Sequence, residues 1–593
     1  MIILYLIALL VTHQVSPFTL PTIPLSIGSR AMDQLKEIDI PQHIEQGNQP
    51  DTPYVRNAFT LPILIDHTVV RDEIHSTDFD QTVASGQAMC TISKDGRYRI
   101  VDDIELDPVN DGTIGILINA SNVIIDFDSH IISQKRSSTK SFDAVATTTG
   151  LSSVAFTNGG IARINGNGIT VDSASGVVMN TMVINGCSRY GVKLVNANNF
   201  ISESLVFVNA NGNHPDATDG AVGLYAQNCR NIRILDSFFN SCVAAQPNRN
   251  SCGLLINGCT SVRLENCAAA ANKGAHSYGM RLVNTQACVM KDCAVAGNES
   301  TAGVCYGFSF EGCSGISMKD VFSGSLVSAI GSCAGINLYQ STGSDLINVL
   351  TKNHTADATG SDCYGFKCTL SNNNRFINCH AIAHKSTNST AYGFYLYGCQ
   401  SNSFLYCEAQ GNNASTSLKD GYGFYASSGG GNAFNKCRGS GNKGGTSLSS
   451  IAAGFALRNG ESYSGITECI ASGSSTVGEA YGIMLGHTGD TGTVSYCTVD
   501  DNKLLYNIGS KKYGYRDFAP YTTTVFTRNV SYGHGPTTPS ISEQLTLSNS
   551  MNFMFTHTGN QYPGYTIKEC SIGTLTTITS GEPLMNLSII LQP

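Results

Sequence analysis

The sequence predicts an all-β solenoid, a single elongated domain in which one β-rung is repeated along the chain. Three observations predict it. The first is a phrase that returns throughout the middle of the chain. It is fullest at Tyr392-Gly393-Phe394-Tyr395-Leu396-Tyr397-Gly398-Cys399, with Asn402, Phe404 and Cys407 behind it. Its glycines fall at Gly191, Gly223, Gly253, Gly279, Gly307, Gly335, Gly365, Gly393, Gly423, Gly454, Gly482 and Gly514, twelve copies spaced 26 to 32 residues apart. A self-similar period of this size marks repeats that bury their apolar faces only against neighbouring copies. The second is strand-like alternation after each glycine, with apolar residues one and three places on, as in Phe308/Phe310 and Phe394/Leu396. The third is a set of cysteines and asparagines at fixed offsets, as expected of side chains stacked in columns.

Taken in order, the chain opens on Met1-Ile2-Ile3-Leu4-Tyr5-Leu6-Ile7-Ala8-Leu9-Leu10-Val11, an apolar run too short to span a bilayer. It reads as the h-region of a secretory signal over residues 1–16. That implies a secreted, periplasmic or cell-surface protein with no membrane span once the signal is cleaved. Residues 17–90 read as an N-terminal arm, rich in proline at first, with a short helix at 31–38. The solenoid is expected over 91–539. Its first rungs are Arg97-Tyr98-Arg99-Ile100, Gly115-Ile116-Leu117-Ile118 and Asn122-Val123-Ile124-Ile125-Asp126-Phe127, all alternating and rich in β-branched residues. In the regular repeat, Ile234, Leu264, Met290, Met318, Leu346, Phe376, Phe404 and Phe434 lie eleven places after the glycine and form a second inward column. About nineteen places after it stand Asn272, Asn298, Asn412 and Asn442, with Asn353 and Asn502 one place off, a candidate asparagine ladder. Length varies only beyond position fourteen, in segments such as 414–420 and 444–450, so one side carries unequal loops. Residues 540–593 read as a β cap over the last rung.

Composition narrows the function classes. Only 13% of residues are charged, the net charge is -8 and tryptophan is absent. Nothing here forms the basic stripe that nucleic acid requires, so no nucleic-acid partner is expected. The 21 cysteines are better read as stacked thiols than as disulfides. Cys267, Cys293, Cys379, Cys407 and Cys437 all lie fourteen places after a repeat glycine, and Cys229, Cys259, Cys313 and Cys399 lie six after. No C-x-x-C pair occurs, and no metal or cofactor is expected.

The glycine-aromatic-x-leucine, Cys/Ser, Asn, Asn/Asp-Cys pattern resembles the repeats of right-handed parallel β-helix proteins of the pectin-lyase-like superfamily, over residues 91 to 532. The resemblance implies a right-handed parallel β-helix of about fifteen rungs. The opening rung is similar to the family's, although Asp126-Phe127-Asp128-Ser129-His130 lacks the glycine often found before that histidine. Members include polysaccharide lyases, hydrolases and epimerases, tailspikes and adhesins, and fold alone does not choose among them. Trimeric spikes also use the fold, which leaves a homotrimer open. Gly533-His534-Gly535 and Thr218-Asp219-Gly220 echo polygalacturonase motifs, but their companion residues are missing and the two lie too many rungs apart for one site. Tyr513-Gly514-Tyr515-Arg516-Asp517 similarly lacks the proline and histidine of the alginate epimerase motif.

Two sets of site residues follow. Asp292 and Asp320, thirteen places after successive glycines, would stand on adjacent rungs about 4.8 Å apart, close to the ~5 Å carboxylate spacing of retaining glycosidases. Asparagine alternates with aspartate in this column, as it would if either simply served a turn. The second set is Arg281, Glu311, Tyr339, Lys367, Tyr395, Tyr397 and Tyr425, two or four places after the glycine and so outward on the first sheet. Aromatic rings stack on sugar faces, and the charged groups can pair with hydroxyls or uronates. The column Tyr190, Tyr278, Tyr306, Tyr364, Tyr392, Tyr422, Tyr481 and Tyr513 has inward parity and reads as packing at the core edge. These observations favour a surface protein that binds a polysaccharide or surface glycan along its first sheet, in the manner of an adhesin. A polysaccharide lyase or hydrolase with an unfamiliar site and a purely structural spike are the alternatives.

Overall fold

A computed structural model of the chain describes residues 70–509, apart from 209, 211–219, 245–247, 416–418, 488–489, 493, 495–496 and 506, together with strands from Lys511–Asp517 to Ile589–Leu591. The expected secretory signal, the helix at 31–38 and Gly533-His534-Gly535 lie outside the described residues. Apart from a single 3-10 turn at Ser76–Asp78, every described element is β. The rungs form a parallel solenoid of about 14 turns.

Each turn supplies three strand segments. In one regular turn they are Ala391–Tyr397, the pair Ser403–Leu405 and Glu408–Gln410, and the two-residue Asn413–Ala414. Every one pairs in parallel with its copies before and after. Tyr364, Tyr392 and Tyr422 are thus in register on the first sheet, as are Phe376, Phe404 and Phe434 on the second. Parallel pairing is already present at Val70–Ile74, which pairs with Gly96–Ile100, ahead of the expected start at residue 91. Past residue 540, Phe553–Phe555 and Thr566–Lys568 continue the same two columns.

The core is built from like stacked on like. Phe366, Phe394, Phe424 and Phe455 stack at ring-centroid distances of 4.5, 4.7 and 4.7 Å, and Phe376, Phe404 and Phe434 form a second stack across the core at 4.5 and 4.9 Å. Rung spacing matches aromatic stacking distance, so one residue type repeated at one offset keeps its rings in contact from rung to rung. The column eleven places after the glycine is buried throughout, as expected.

The glycine breaks the alternation. A Cβ on Gly393 would lie 2.6 Å from Ala409 Cβ, 2.6 Å from the Gly423 carbonyl oxygen and 2.9 Å from Asn412 Nδ2, so its missing side chain points into the core, as does the next residue, Phe394. Two consecutive inward positions put the preceding residue on the outer side. The tyrosine column therefore belongs to the solvent face of the first sheet. Its members from Tyr190 to Tyr481 are buried, but in a cluster separate from the core, together with Tyr395 and Tyr425. This corrects the core-edge placement expected from strict alternation.

All twenty described cysteines are free thiols, and nineteen are buried. They do more than fill space. Cys407 Sγ lies 3.4 Å from the Phe376 carbonyl oxygen and 3.6 Å from that of Leu405, and the Cys437 N–H points at Cys469 Sγ at 3.3 Å. Ser341, at the position Cys313 takes one rung earlier, donates to the Phe310 and Tyr339 carbonyls in the same way. At the six- and fourteen-place offsets the thiols are thus turn caps interchangeable with serine.

The asparagine ladder forms. Asn272 N–H donates to Asn298 Oδ1 at 3.0 Å, and Asn412 Nδ2 to Asn442 Oδ1 at 2.9 Å. It does not pass through Asn353, which is exposed in a left-handed turn (φ 57°), but through His354 and His384. Asn502 instead caps Cys469, and the ladder position beyond Ser474 falls to Asn507. A second ladder, overlooked in the sequence, runs nine places after the glycine through Asn374, Asn402 and Asn432.

Candidate functional site: the outer face of the first sheet

The solvent side of the first sheet carries two columns beside the tyrosines. Arg281, Ser309, Asn337, Lys367, Tyr395 and Tyr425 are in register two places after the glycine. Val283, Glu311, Tyr339, Thr369, Tyr397 and Ser427 are in register four places after it. All seven expected ligand contacts thus share this face, but they are not equivalent.

Tyr395 and Tyr425 are not open platforms. Tyr392 stacks on Tyr364 at 5.1 Å and on Tyr422 at 5.5 Å, while Tyr395 stacks on Tyr425 at 5.4 Å. The two columns also meet edge to face, Tyr392 lying 4.9 Å from Tyr395 and 5.3 Å from Tyr425. The result is a zipper of five tyrosines whose faces are already occupied, leaving Tyr425 only 8% exposed. The open rings are Tyr339 and Tyr397, 42% and 46% exposed, two rungs apart at the edge where the sheet turns. Leu370, 44% exposed, lies against Gly398 between them: a Cβ there would sit 2.7 Å from Leu370 Cδ2. These three make an apolar strip with a two-rung step.

Three cations stand near interruptions in the tyrosine column. The Arg281 guanidinium lies 4.8 Å above the Tyr278 ring, beside the stretch where Val222 and Cys252 replace tyrosine. It forks onto Glu311 at 2.9 and 2.8 Å. Arg458 reaches Tyr422 Oη at 3.5 Å, ahead of Ala453, and forks onto Asp490. At Ala334, between Tyr306 and Tyr364, the gap is bridged by Lys367. Its ammonium lies 5.7 and 5.1 Å from the two ring centroids and donates to Tyr306 Oη at 3.3 Å. Unlike the arginines, Lys367 has no carboxylate within ion-pair distance among the described residues, and burial holds its pKa below the ordinary lysine value.

Acid groups line the loop edge of the same face. Asp362 accepts from Tyr364 Oη at 2.9 Å and from Thr390 N–H at 3.1 Å. Asp420 accepts from Tyr422 Oη at 3.0 Å and from Ile451 N–H at 2.8 Å, and burial raises its pKa above the ordinary aspartate value. This carboxylate–tyrosine–arginine group was not picked out in the sequence. Its signal is an acid two places before the repeat tyrosine, present again as Asp362–Tyr364 and Glu479–Tyr481.

Asp292 and Asp320 lie elsewhere, at the turn after the first part of the second sheet. Both are exposed and left-handed, with φ 53° and 55°, as are Asp236, Asn266 and Asn348 in the same column; Asn378 is left-handed and half-buried. Asn348 Nδ2 donates to Asp320 Oδ1 at 2.8 Å, and Lys291 Nζ lies 3.5 Å from Asp292 Oδ2. Asparagine and aspartate are the side-chain-bearing residues that best tolerate this backbone, which accounts for both residue types in the column. Among the described residues there is no cluster of three or more metal-ligating side chains.

No family model matches the chain, and no curated protein does. Solved structures that it resembles include the periplasmic alginate epimerase AlgG (12% identity, 77% of this chain and 76% of that one, TM-score 0.25). Others are the Yersinia enterocolitica family 28 exopolygalacturonase (10% identity, 57% and 75%, TM-score 0.29) and PfbA, a surface adhesin of Streptococcus pneumoniae (9% identity, 79% and 90%, TM-score 0.25). The fold stands on this chain's own strand pairing: it is a parallel β-solenoid, the architecture that the likeness to pectin-lyase-like β-helix proteins led one to expect.

Proposed function

We propose that this solenoid binds an extended glycan along the outer face of its first sheet, as an exported surface protein of adhesin type. The observation that carries the proposal is the strip Tyr339–Leu370–Tyr397: exposed rings and an aliphatic side chain on an otherwise self-packed face. A polymer lying across the rungs meets these two rings two rungs apart, a step of about 9.6 Å. Lys367, an ammonium without a carboxylate partner among the described residues, and the Arg281–Glu311 fork border the track and are available to sugar hydroxyls and acidic groups.

The test is co-sedimentation of the protein with a panel of neutral and uronate-containing polysaccharides, repeated with Tyr339→Ala/Tyr397→Ala. These rings are exposed, so the double variant stays folded. It is expected to lose at least about tenfold in affinity, because each sugar-stacking ring contributes about 1 kcal/mol or more. Unchanged affinity in the folded variant would sink the assignment, and absence of binding to every polymer would favour the spike. Light scattering of the same preparation tests the homotrimer.

A second proposal, a lyase or hydrolase, rests on Asp420. Its raised pKa, its bond to Tyr422 and the nearby Arg458 make a better acid–base group than the exposed Asp292 and Asp320. New reducing ends or unsaturated uronate, abolished by Asp420→Asn and kept by Asp292→Asn/Asp320→Asn, would establish it.

A further inference from the structure

Two histidines stand in the core where the ladder elsewhere uses asparagine. His354 and His384 are fully buried and stacked, 4.7 Å between ring centroids and 17° between planes. His354 Nδ1 accepts the Leu326 N–H at 3.3 Å, and His384 Nδ1 accepts the His354 N–H at 3.4 Å. Each Nδ1 thus does what Asn298 Oδ1 does for Asn272. This fixes the proton of each neutral ring on Nε2. For His384 it is directed at Thr351 Oγ1 (3.1 Å), whose hydroxyl is in turn within reach of the His380 carbonyl (3.3 Å). His354 Nε2 has no hydrogen-bond partner among the described residues.

The rings abut the binding face from behind. A Cβ on Gly335 would lie 2.5 Å from His354 Nε2, and one on Gly365 would lie 2.7 Å from His384 Nε2. Those glycines directly follow Ala334 and Tyr364, at the gap bridged by Lys367. We propose that the His354–His384 pair is an acid-sensitive joint that loosens these two rungs, and the face they carry, as pH falls.

The geometry supplies the mechanism. Protonation of either ring at Nδ1 turns an acceptor into a donor facing a backbone N–H, stranding that N–H and placing a cation in the core. No compensating charge is at hand. Of the elements packed against the rings, Cys333–Tyr339 and Cys363–Thr369 bring the thiols Cys333 and Cys363, and the ladder neighbours are Leu326 and Asn412. The chain on either side brings Lys352, Lys385 and His380; His380 is paired with Glu408 at 3.4 Å. Neither ring bonds a carboxylate among the described residues. Burial holds both imidazoles below the ordinary histidine range, His354 also through its partner ring, and His384 at about 3. A histidine depressed by folding contributes full stability above its unfolded pKa of about 6.5 and loses it as pH falls below that value, up to tenfold per pH unit per ring.

Hydrogen exchange read by mass spectrometry tests this on the full chain, at about pH 7 and about pH 4.5, corrected for intrinsic rates. Protection in residues 333–390 is expected to fall by about a hundredfold or more, while rungs around Asn272/Asn298 and Asn412/Asn442 hold. His354→Asn/His384→Asn, which restores the ladder residue, is expected to abolish the difference. Equal protection across all these rungs in acid, or an equal loss in the variant, would overturn the proposal. Should the double variant not fold, histidine proton resonances of the wild-type protein decide. Absence of titration down to about pH 5 supports the joint, and both rings titrating near 6.5 in the folded state refutes it. The consequence for ligand rests on the glycan-binding proposal: affinity should fall in acid in the wild type and persist in the asparagine variant. Acid loosening without glycan binding at any pH would keep the joint and discard the binding proposal.

Discussion

Asn402→Ala probes whether buried side-chain ladders hold the rungs together. Asn402 is 1% exposed. Its Oδ1 accepts from Asn374 N–H at 2.9 Å and Asn374 Nδ2 at 3.1 Å, while its Nδ2 donates to the Ser371 carbonyl and to Asn432 Oδ1, both at 3.0 Å. Alanine strands the Asn374 N–H and takes the amide donor from the Ser371 carbonyl in a site closed to water, while Asn374 Nδ2 keeps the Ser341 carbonyl at 3.2 Å. At about 1–3 kcal/mol for each buried polar group left unpaired, the expected loss is about 2–6 kcal/mol. The natural control is Asn378→Ala in the preceding rung. Its amide donates to Asn348 Oδ1 at 2.9 Å in an exposed contact that water replaces, and its Oδ1 lies 3.1 Å from the half-buried His380 Nε2, so the loss is that of alanine in a left-handed turn, about 1–2 kcal/mol, plus up to about 1 kcal/mol for the imidazole bond. The chain has no tryptophan, so urea unfolding is best followed by far-ultraviolet circular dichroism, with hydrogen exchange over residues 371–435 to localise the effect. If Asn402→Ala is no more destabilising than Asn378→Ala, the buried ladder does not hold the rungs together.

Four further outcomes are expected. Cys407→Ser should stay within about 1 kcal/mol of wild type by urea unfolding, because a hydroxyl can make the same bonds to the Phe376 and Leu405 carbonyls, whereas Cys407→Val should lose more. Gly393→Ala should cost at least about 3 kcal/mol or prevent folding, since its methyl would meet the Gly423 carbonyl at 2.6 Å; a wild-type melting temperature would refute the inward glycine. Arg458→Ala leaves the buried Asp490 unpaired and should destabilise by about 3–5 kcal/mol, partly recovered by adding Asp490→Asn; no recovery would show that the fork is incidental. Phe394→Ala removes the middle of a four-ring stack and should lose about 3–5 kcal/mol, with exchange rising first in its own rung and the two beside it.

Much of the fold was legible in the sequence because a solenoid is nearly one-dimensional. Each rung meets only its copies, so a residue's offset from the glycine fixes its neighbours. The Phe376–Phe404–Phe434 stack, the Asn412–Asn442 bond and the shared face of Arg281, Tyr395 and Tyr425 all follow from that offset. What offset counting does not contain is the local twist of the backbone and the size of the space between side chains. Strict alternation put the repeat tyrosines at the core edge, whereas two consecutive inward positions at Gly393 and Phe394 place them outside. Once outside, they fill the space around Tyr395 and Tyr425, and the open surface passes to Tyr339, Leu370 and Tyr397. Asp292 and Asp320 were bound to look like a catalytic pair in one dimension, since adjacency is all that the repeat reports; their left-handed backbone supplies a reason for the residue types that chemistry does not need. Asparagine gives way to histidine at 354 and 384 without disturbing the ladder, because an imidazole Nδ1 can accept the same N–H. The sequence by itself determined the repeat, its columns and the architecture. The tertiary structure alone decided which side chains remain free to meet a ligand, because exposure depends on how rings of finite size share the space above a sheet.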